Sequence, residues 1–300
     1  MSGTQDGAGL IGVDWGTSNL RVLRIGEGGT VLESRSDPRG AAGLAPSAFP
    51  SVLAEVADGW LDGASPILVC GMAGARGRWR EVAYLPTPAT LADLANALSS
   101  PLDRPDLRIV PGLKAVAGGR MIDVMRGEET QVMGLDLEPG SHRIVAPGTH
   151  SKWIAARPGQ IVGYRTFMTG ELFAAIRKGT ILGAGMGEPG VDEGAFADGV
   201  DRALTDPALT SALFSVRVET LADRLRPDAA ADYLSGLLIG AEIAAHRQDT
   251  HGTVTLVGAD ALNARYAAAL EIAGFSDVRL ADGAAAVANG LWRIHQASLR

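Results

Sequence analysis

Near the start of the chain the apolar positions fall into runs too short for helices. Leu10–Val13, Leu20–Ile25 and Thr30–Leu32 are separated by Gly16-Thr17-Ser18-Asn19 and by Gly26-Glu27-Gly28-Gly29. Runs of this length, broken by Gly, Asn and Ser, predict an antiparallel three-stranded meander. The plan returns later as Arg143–Ala146, a Gly-Thr turn, Trp153–Ala156, an Arg-Pro-Gly-Gln turn and Ile161–Phe167. Gly148-Thr149 repeats Gly16-Thr17 at an offset of 132 in a chain of 300 residues. An offset of nearly half the chain predicts an α/β protein built from a duplicated domain.

Between and after the meanders the pattern alternates strands with helices. Ser34–Pro46 reads as a polar loop, Ser47–Leu61 as a helix and Pro66–Cys70 as a buried strand. Gly71–Pro86 is too rich in Gly and Arg for a core element, and Thr87–Leu98 is helical in spacing. Leu107–Val110 and Met121–Met125 read as strands joined by a linker, and Arg126-Gly127-Glu128-Glu129 leads a short helix through Leu137. Thr169 caps a helix to Lys178, Ile181–Pro207 reads as irregular, and Asp228–His246 as a long helix. Thr253–Val257 is a buried strand, Leu262–Ala273 a helix, Val278–Leu280 a last strand, and Asp282-Gly283 opens a final helix to His295. The small residues of that helix suit close packing at a hinge. Glu138-Pro139-Gly140 marks the expected boundary, giving domains 1–137 and 138–300.

Charge narrows the partners. The net charge is −7, so no bulk electrostatic attraction to nucleic acid or to an anionic membrane is expected. An anionic substrate must then meet local cations, mostly Arg, since Lys114, Lys152 and Lys178 are the only lysines. The single Cys70 rules out a disulfide framework and ends an apolar strand, where a buried, inert thiol is expected. No leader pattern opens the sequence and no apolar run reaches spanning length, so a soluble cytoplasmic protein is expected. No P-loop is present, since GAGMGEPG lacks the lysine, and His142, His150, His246, His251 and His295 show no ligand spacing.

The candidate chemistry gathers at the turns. Asp14 closes the first strand beside Gly16, Thr17, Ser18 and Asn19, a turn whose N–H groups can cradle phosphate oxygens while the carboxylate holds a hydrated Mg²⁺. Gly148, Thr149, His150, Ser151 and Lys152 form the second such turn. Arg76, Arg78, Trp79 and Tyr84 lie in a loop leaving the C-terminal end of a strand, where α/β proteins bind ligands, and Arg126 follows a later strand. Arginine forks match carboxylates, while Glu128 and Glu129 stand in the first turn of a helix, where paired acids complement the helix dipole.

The paired turns resemble those of the actin-like ATPase and sugar kinase superfamily. Longer segments are more specific: IGVDWGTSNLR (11–21), CGMAGARGRWREVAYLP (70–86), VMRGEETQVMGL (124–135), APGTHSKW (146–153), FMTGELF (167–173), LVGADALNARYAAAL (256–270) and DGAAAVANGLW (282–292). Together they resemble the 2-dehydro-3-deoxygalactonokinase family over nearly the whole length. The resemblance implies two duplicated actin-like, ribonuclease H-like domains, each a mixed sheet beginning with the meander and facing the other across a nucleotide cleft. It implies Mg²⁺-dependent transfer from ATP to the terminal hydroxyl of 2-dehydro-3-deoxy-D-galactonate. The first domain would bind sugar acid and phosphate, and the second the nucleotide.

Residue by residue, it implies Asp14 at the metal, and the two turns with Arg21 at the phosphates. Lys152 would sit near the transferred group, and Gly258 and Ala259 against adenosine. It leaves Glu128 and Glu129 as alternative bases and Arg76, Arg78 and Arg126 as alternative clamps. Glu128 is favoured because Glu129 shares a stripe with Val132 and Met133. Also open are a gluconate-derived acceptor, a nucleotide hydrolase or switch without sugar transfer, a non-catalytic sugar-acid regulator, and a homodimer.

Overall fold

The computed structural model describes residues 9–61, 63, 65–187, 192–206, 208–246, 250 and 252–300. The start of the chain before residue 9, His251 and parts of the Gly-rich stretch, among them the end of GAGMGEPG, lie outside the described residues.

In chain order the elements are β1 (Leu10–Trp15), β2 (Leu20–Ile25), β3 (Val31–Asp37), α1 (Phe49–Val56), β4 (Ile67–Gly71), β5 (Leu85–Pro86), β6 (Ala89–Thr90) and α2 (Leu91–Asn96). Then come β7 (Leu107–Ile109), β8 (Leu113–Ala117), β9 (Arg120–Met125), α3 (Glu128–Met133), β10 (His142–Ala146), β11 (Ser151–Arg157) and β12 (Gln160–Phe167). The rest is α4 (Thr169–Gly179), α5 (Glu193–Thr205), α6 (Leu209–Leu221), α7 (Ala230–Ala244), β13 (Val254–Gly258), α8 (Asp260–Ile272), β14 (Val278–Asp282) and α9 (Gly283–Ala297). The sheets are ordered β3-β2-β1-β4-β7, β14-β13-β10-β11-β12-β6 and β5-β8-β9. The chain divides into two compact units, one of Met1–Ser141, Ile154–Arg165 and Ala281–Arg300, the other of His142–Trp153 and Thr166–Leu280.

In the first unit β1 pairs antiparallel with β2 and parallel with β4, and β2 pairs antiparallel with β3. The expected first meander is present, in a mixed sheet. The sheet buries Val13, Trp15, Leu20 and Val69 against α1 and a trio of rings, with centroids of Trp15 and Phe49 4.6 Å apart and of Phe49 and Trp79 5.7 Å apart. Within the same unit, α9 backs α3. A Cβ on Gly134 would stand 1.8 Å from the Ala286 carbonyl oxygen, and one on Gly290 1.9 Å from that of Thr130. Only glycine permits this approach, so the small residues of α9 seat the helix that carries the paired acids.

In the second unit β10 pairs parallel with β13. Helices α5 and α7 meet backbone to backbone, since a Cβ on Gly236 would lie 2.0 Å from the Phe196 carbonyl oxygen. Their apolar faces bury Val200, Leu234, Leu237 and Ile239.

Four element expectations change. The third run extends to Asp37 because β3 is an edge strand, whose exposed and half-buried positions tolerate Glu33, Arg35 and Asp37. The linker after Val110 contains β8, paired with β9. The helix expected from Thr87 begins at Leu91, after β6 has paired with β12, and Thr90 forms a capping box with Asp93. The irregular stretch contains α5, where Phe196, Val200 and Ala203 repeat at helical spacing behind a Gly-rich lead. Helix α6 is a further element that the periodicity does not single out.

Candidate active site

In the first unit Asp14 is the penultimate residue of β1, paired across the sheet with Arg21 on β2 and Cys70 on β4. Burial raises its carboxyl above the ordinary range, and the Arg21 charge opposes that rise. Cys70 is buried, its thiol pushed well up by burial and by the Asp14 charge, so it is an inert neighbour. Beyond β4 the backbone turns through Gly71 at φ 85°, where a Cβ would meet the Trp15 carbonyl oxygen at 2.5 Å. Gly127, at φ 113°, packs against that glycine, so two left-handed glycines bring the head of α3 to the end of β4, beside Asp14.

The two acids of that head differ. Glu129 is fully buried; its Oε2 accepts from the Gly127 N–H at 2.7 Å and its Oε1 from the Thr130 hydroxyl at 3.1 Å. Burial, then the neighbouring Glu128 charge, push its carboxyl up to about 8, so it holds its proton at neutral pH. Glu128 is half-buried and accepts from the Arg126 N–H at 3.2 Å. Its charge adds to the rise at both Asp14 and Glu129.

The first turn is anchored through its carbonyls. The N–H groups of Ala41 and Ala42 donate to the carbonyls of Gly16 and Thr17 at 2.9 and 3.0 Å. The approach requires Gly40, where a Cβ would lie 2.3 Å from the Thr17 oxygen. Among the described residues no acceptor takes the N–H groups of Thr17, Ser18 and Asn19, whose side chains are exposed. Donors left over while carbonyls are tied back make an anion nest.

The loop residues separate. Arg76 is exposed, and Arg78 donates to the Ala42 carbonyl at 3.3 Å, bracing the segment under the turn. Trp79 is only 8% exposed and belongs to the core, so it offers no open surface. Arg126 is also 8% exposed. It donates from Nη2 to the Val82 carbonyl at 2.7 Å and lies 4.3 Å over the ring of Tyr84. Its Nε and Nη1 have no hydrogen-bond partner among the described residues.

In the second unit the carbonyl of Thr149 accepts from the Glu171 N–H at 3.0 Å and that of His150 from Lys152 Nζ at 2.8 Å. The His150 ring meets Glu171 at 2.5 Å. Ser151 and Lys152, expected at the phosphates, are both buried, Ser151 Oγ standing 2.6 Å from the Tyr266 hydroxyl. A cavity of about 290 Å³ opens beside the turn, lined by Gly148, Thr169, Phe173, Leu238, Leu262 and Tyr266 among others. Gly258 and Ala259 precede α8, and Asn263 on that helix donates to the Gly258 carbonyl at 3.2 Å. The α4 and α7 walls escape a reading of the sequence, because they are far apart along the chain. Helical stripes are their only trace.

Residues 14–294 match the family model of 2-keto-3-deoxy-galactonokinase. The chain is 44% identical to a Rhizobium meliloti (strain 1021) protein named "Probable 2-dehydro-3-deoxygalactonokinase", covering 93% of this chain and 94% of that one. It is 37% identical to the 2-dehydro-3-deoxygalactonokinase of Escherichia coli (strain K12), covering 97% and 98%. A crystal structure from Sinorhizobium meliloti, described as that same kinase, superposes with a TM-score of 0.86 at 40% identity over 96% of this chain and 98% of that one. The fold is also similar to that of an ADPNP-bound dehydratase activator from Clostridium difficile, with a TM-score of 0.53 at 13% identity over 97% and 96% of the two chains. The architecture is therefore that of the actin-like ATPase and sugar kinase proteins, and the chain belongs to the 2-keto-3-deoxy-galactonokinase family.

Proposed function

We propose that the protein phosphorylates the terminal (6-) hydroxyl of 2-dehydro-3-deoxy-D-galactonate with ATP, in galactonate breakdown in the cytoplasm. The observation that carries the reading is the head of α3, with its half-buried carboxylate Glu128, which Gly127 seats against Gly71 at the end of β4 next to the strand of Asp14, in a unit that also buries an incompletely bonded guanidinium, Arg126. Phosphoryl transfer asks for positioning, charge stabilisation and a group that takes the hydroxyl proton. Glu128 takes that proton. Glu129, buried and protonated, holds the helix head in place.

Arg126 binds the sugar-acid carboxylate, because a buried arginine with unused donors gains most from an anionic partner. Tyr84 supports the guanidinium from below, and Arg76 and Arg78 remain at the surface. In the first unit the turn at Gly16–Asn19 offers N–H groups to phosphate oxygens, and in the second the cavity beside Gly148 takes the nucleoside. Asp14 suits a hydrated Mg²⁺. Among the described residues no cluster of three or more acidic, His or Cys ligands exists, and Mg²⁺ at a phosphate commonly needs one or two carboxylates. When bound, the ion neutralises charge on the phosphates.

The test is ADP release with a panel of 2-keto-3-deoxy sugar acids. The galactonate-derived acid should give the highest kcat/KM. Preference for the gluconate-derived acid would change the assigned acceptor, and ADP release indifferent to sugar acid would refute the kinase reading.

A further inference from the structure

The second unit buries a carboxylate that takes no part in proton or phosphoryl transfer. Glu242 lies on α7, 2% exposed, one turn from the core residues Leu238 and Ile239. A carboxylate in such a place is costly unless donors surround it. They do here. Trp153 Nε1 donates to Oε1 at 2.7 Å, the Tyr266 hydroxyl to Oε2 at 2.8 Å, and the Thr169 hydroxyl to the same Oε2. Ser151 Oγ stands 2.6 Å from the Tyr266 hydroxyl and extends the network.

The donors come from different elements, and each one bears on the candidate nucleotide site. Ser151 and Trp153 open β11, directly after the second turn. Thr169 is the first residue of α4 and lines the cavity, as does Tyr266 on α8. The next two residues of α4 clamp the turn. A Cβ on Gly170 would lie 2.6 Å from the Gly148 carbonyl oxygen, and the Glu171 N–H holds the Thr149 carbonyl. A movement of Glu242 would therefore displace the turn and two walls of the cavity together.

We infer that Glu242 is a positioning residue for the nucleotide, fixing the Gly148–His150 turn against the cavity through Thr169, Tyr266 and Trp153. Hydrophobic residues of the same volume would fill this core equally well. They would not set the angle between β11, α4 and α8 through three directed bonds. The inference rests on the assignment of the cavity to the nucleoside.

Glu242→Gln tests it. The amide offers one acceptor oxygen where the carboxylate offers two, so when that oxygen keeps the Thr169 and Tyr266 hydroxyls, its NH2 group meets the Trp153 Nε1–H donor against donor and that bond is lost. The KM for ATP should rise about tenfold, the value of one good hydrogen bond, while the KM for sugar acid moves less than twofold. Thr169→Val should reproduce the ATP effect and Thr169→Ser should restore wild-type behaviour, so this pair decides the matter even if the Glu242 variant does not fold. An unchanged KM for ATP, or equal rises in both KM values, would overturn the inference. Leu238→Trp, which fills the cavity, separates the two levels. If it leaves the KM for ATP unchanged, the nucleoside assignment fails. If it raises that KM while the Glu242 and Thr169 variants do not, only the role of Glu242 fails.

Discussion

The proton on Glu129 should be visible as a pH dependence of stability. Its carboxyl sits at about 8 in the folded chain against an ordinary 4.5. Below pH 4.5 both folded and unfolded forms carry the proton, and the full contribution to stability is present. Between 4.5 and 8 the unfolded chain releases it while the folded chain keeps it, so stability falls by about 1.4 kcal/mol per pH unit. Above 8 both forms are ionised and the loss is complete. From pH 4.5 to 7 the loss amounts to roughly 3 kcal/mol.

Glu129→Gln keeps the shape, still accepts from the Gly127 N–H and can donate to the Thr130 hydroxyl, but does not titrate. Urea unfolding of variant and wild type, followed by tryptophan fluorescence at half-unit steps from pH 4.5 to 8, isolates the difference, since other titrating groups are common to both. The variant should gain steadily on the wild type, by roughly 3 kcal/mol at pH 7 relative to pH 4.5. Parallel curves would mean that Glu129 ionises as an ordinary carboxylate, and the account of the α3 head would be wrong.

Glu128→Gln should lower kcat on the order of 10²–10⁴-fold with ATP binding retained, checked by steady-state kinetics and nucleotide titration; normal turnover would move the base elsewhere. Asp14→Asn should abolish transfer while far-ultraviolet circular dichroism stays native, and near-wild-type turnover at saturating Mg²⁺ would remove Asp14 from the metal. Arg126→Lys should weaken sugar-acid binding by roughly 1–3 kcal/mol and leave ATP nearly unaffected, read from the two KM values. Gly134→Ala places a methyl where 1.8 Å separates it from the Ala286 oxygen, so α3 and α9 must part. A thermal melt should show a loss of about 1–3 kcal/mol, with a matching fall in kcat because α3 carries Glu128.

The sequence by itself determined the features set by near neighbours. Strand runs and Gly-Thr turns are signals of a few residues, so the two meanders, Asp14 at a strand end and the acids at a helix head are all legible in the chain alone. Cys70 as an inert thiol belongs with them, since its apolar run already implies burial. Tertiary packing decided the rest. Glu128 and Glu129 are adjacent with identical chemistry, and only the docking of α3 on α9 and β4 buries one fully and leaves the other half-buried. Trp79 and Arg126 both read as ligand groups; the core takes the tryptophan to complete a ring cluster, while the arginine keeps two unused donors. Gly40 looks like any loop glycine, although no other residue could lie against Ser18. Helix α5 is hidden by the Gly-rich lead in front of it. Glu242 reads only as the charge interrupting an apolar helix, because Trp153, Thr169 and Tyr266 come from separate parts of the chain, and folding alone turns their hydroxyls and indole onto one carboxylate.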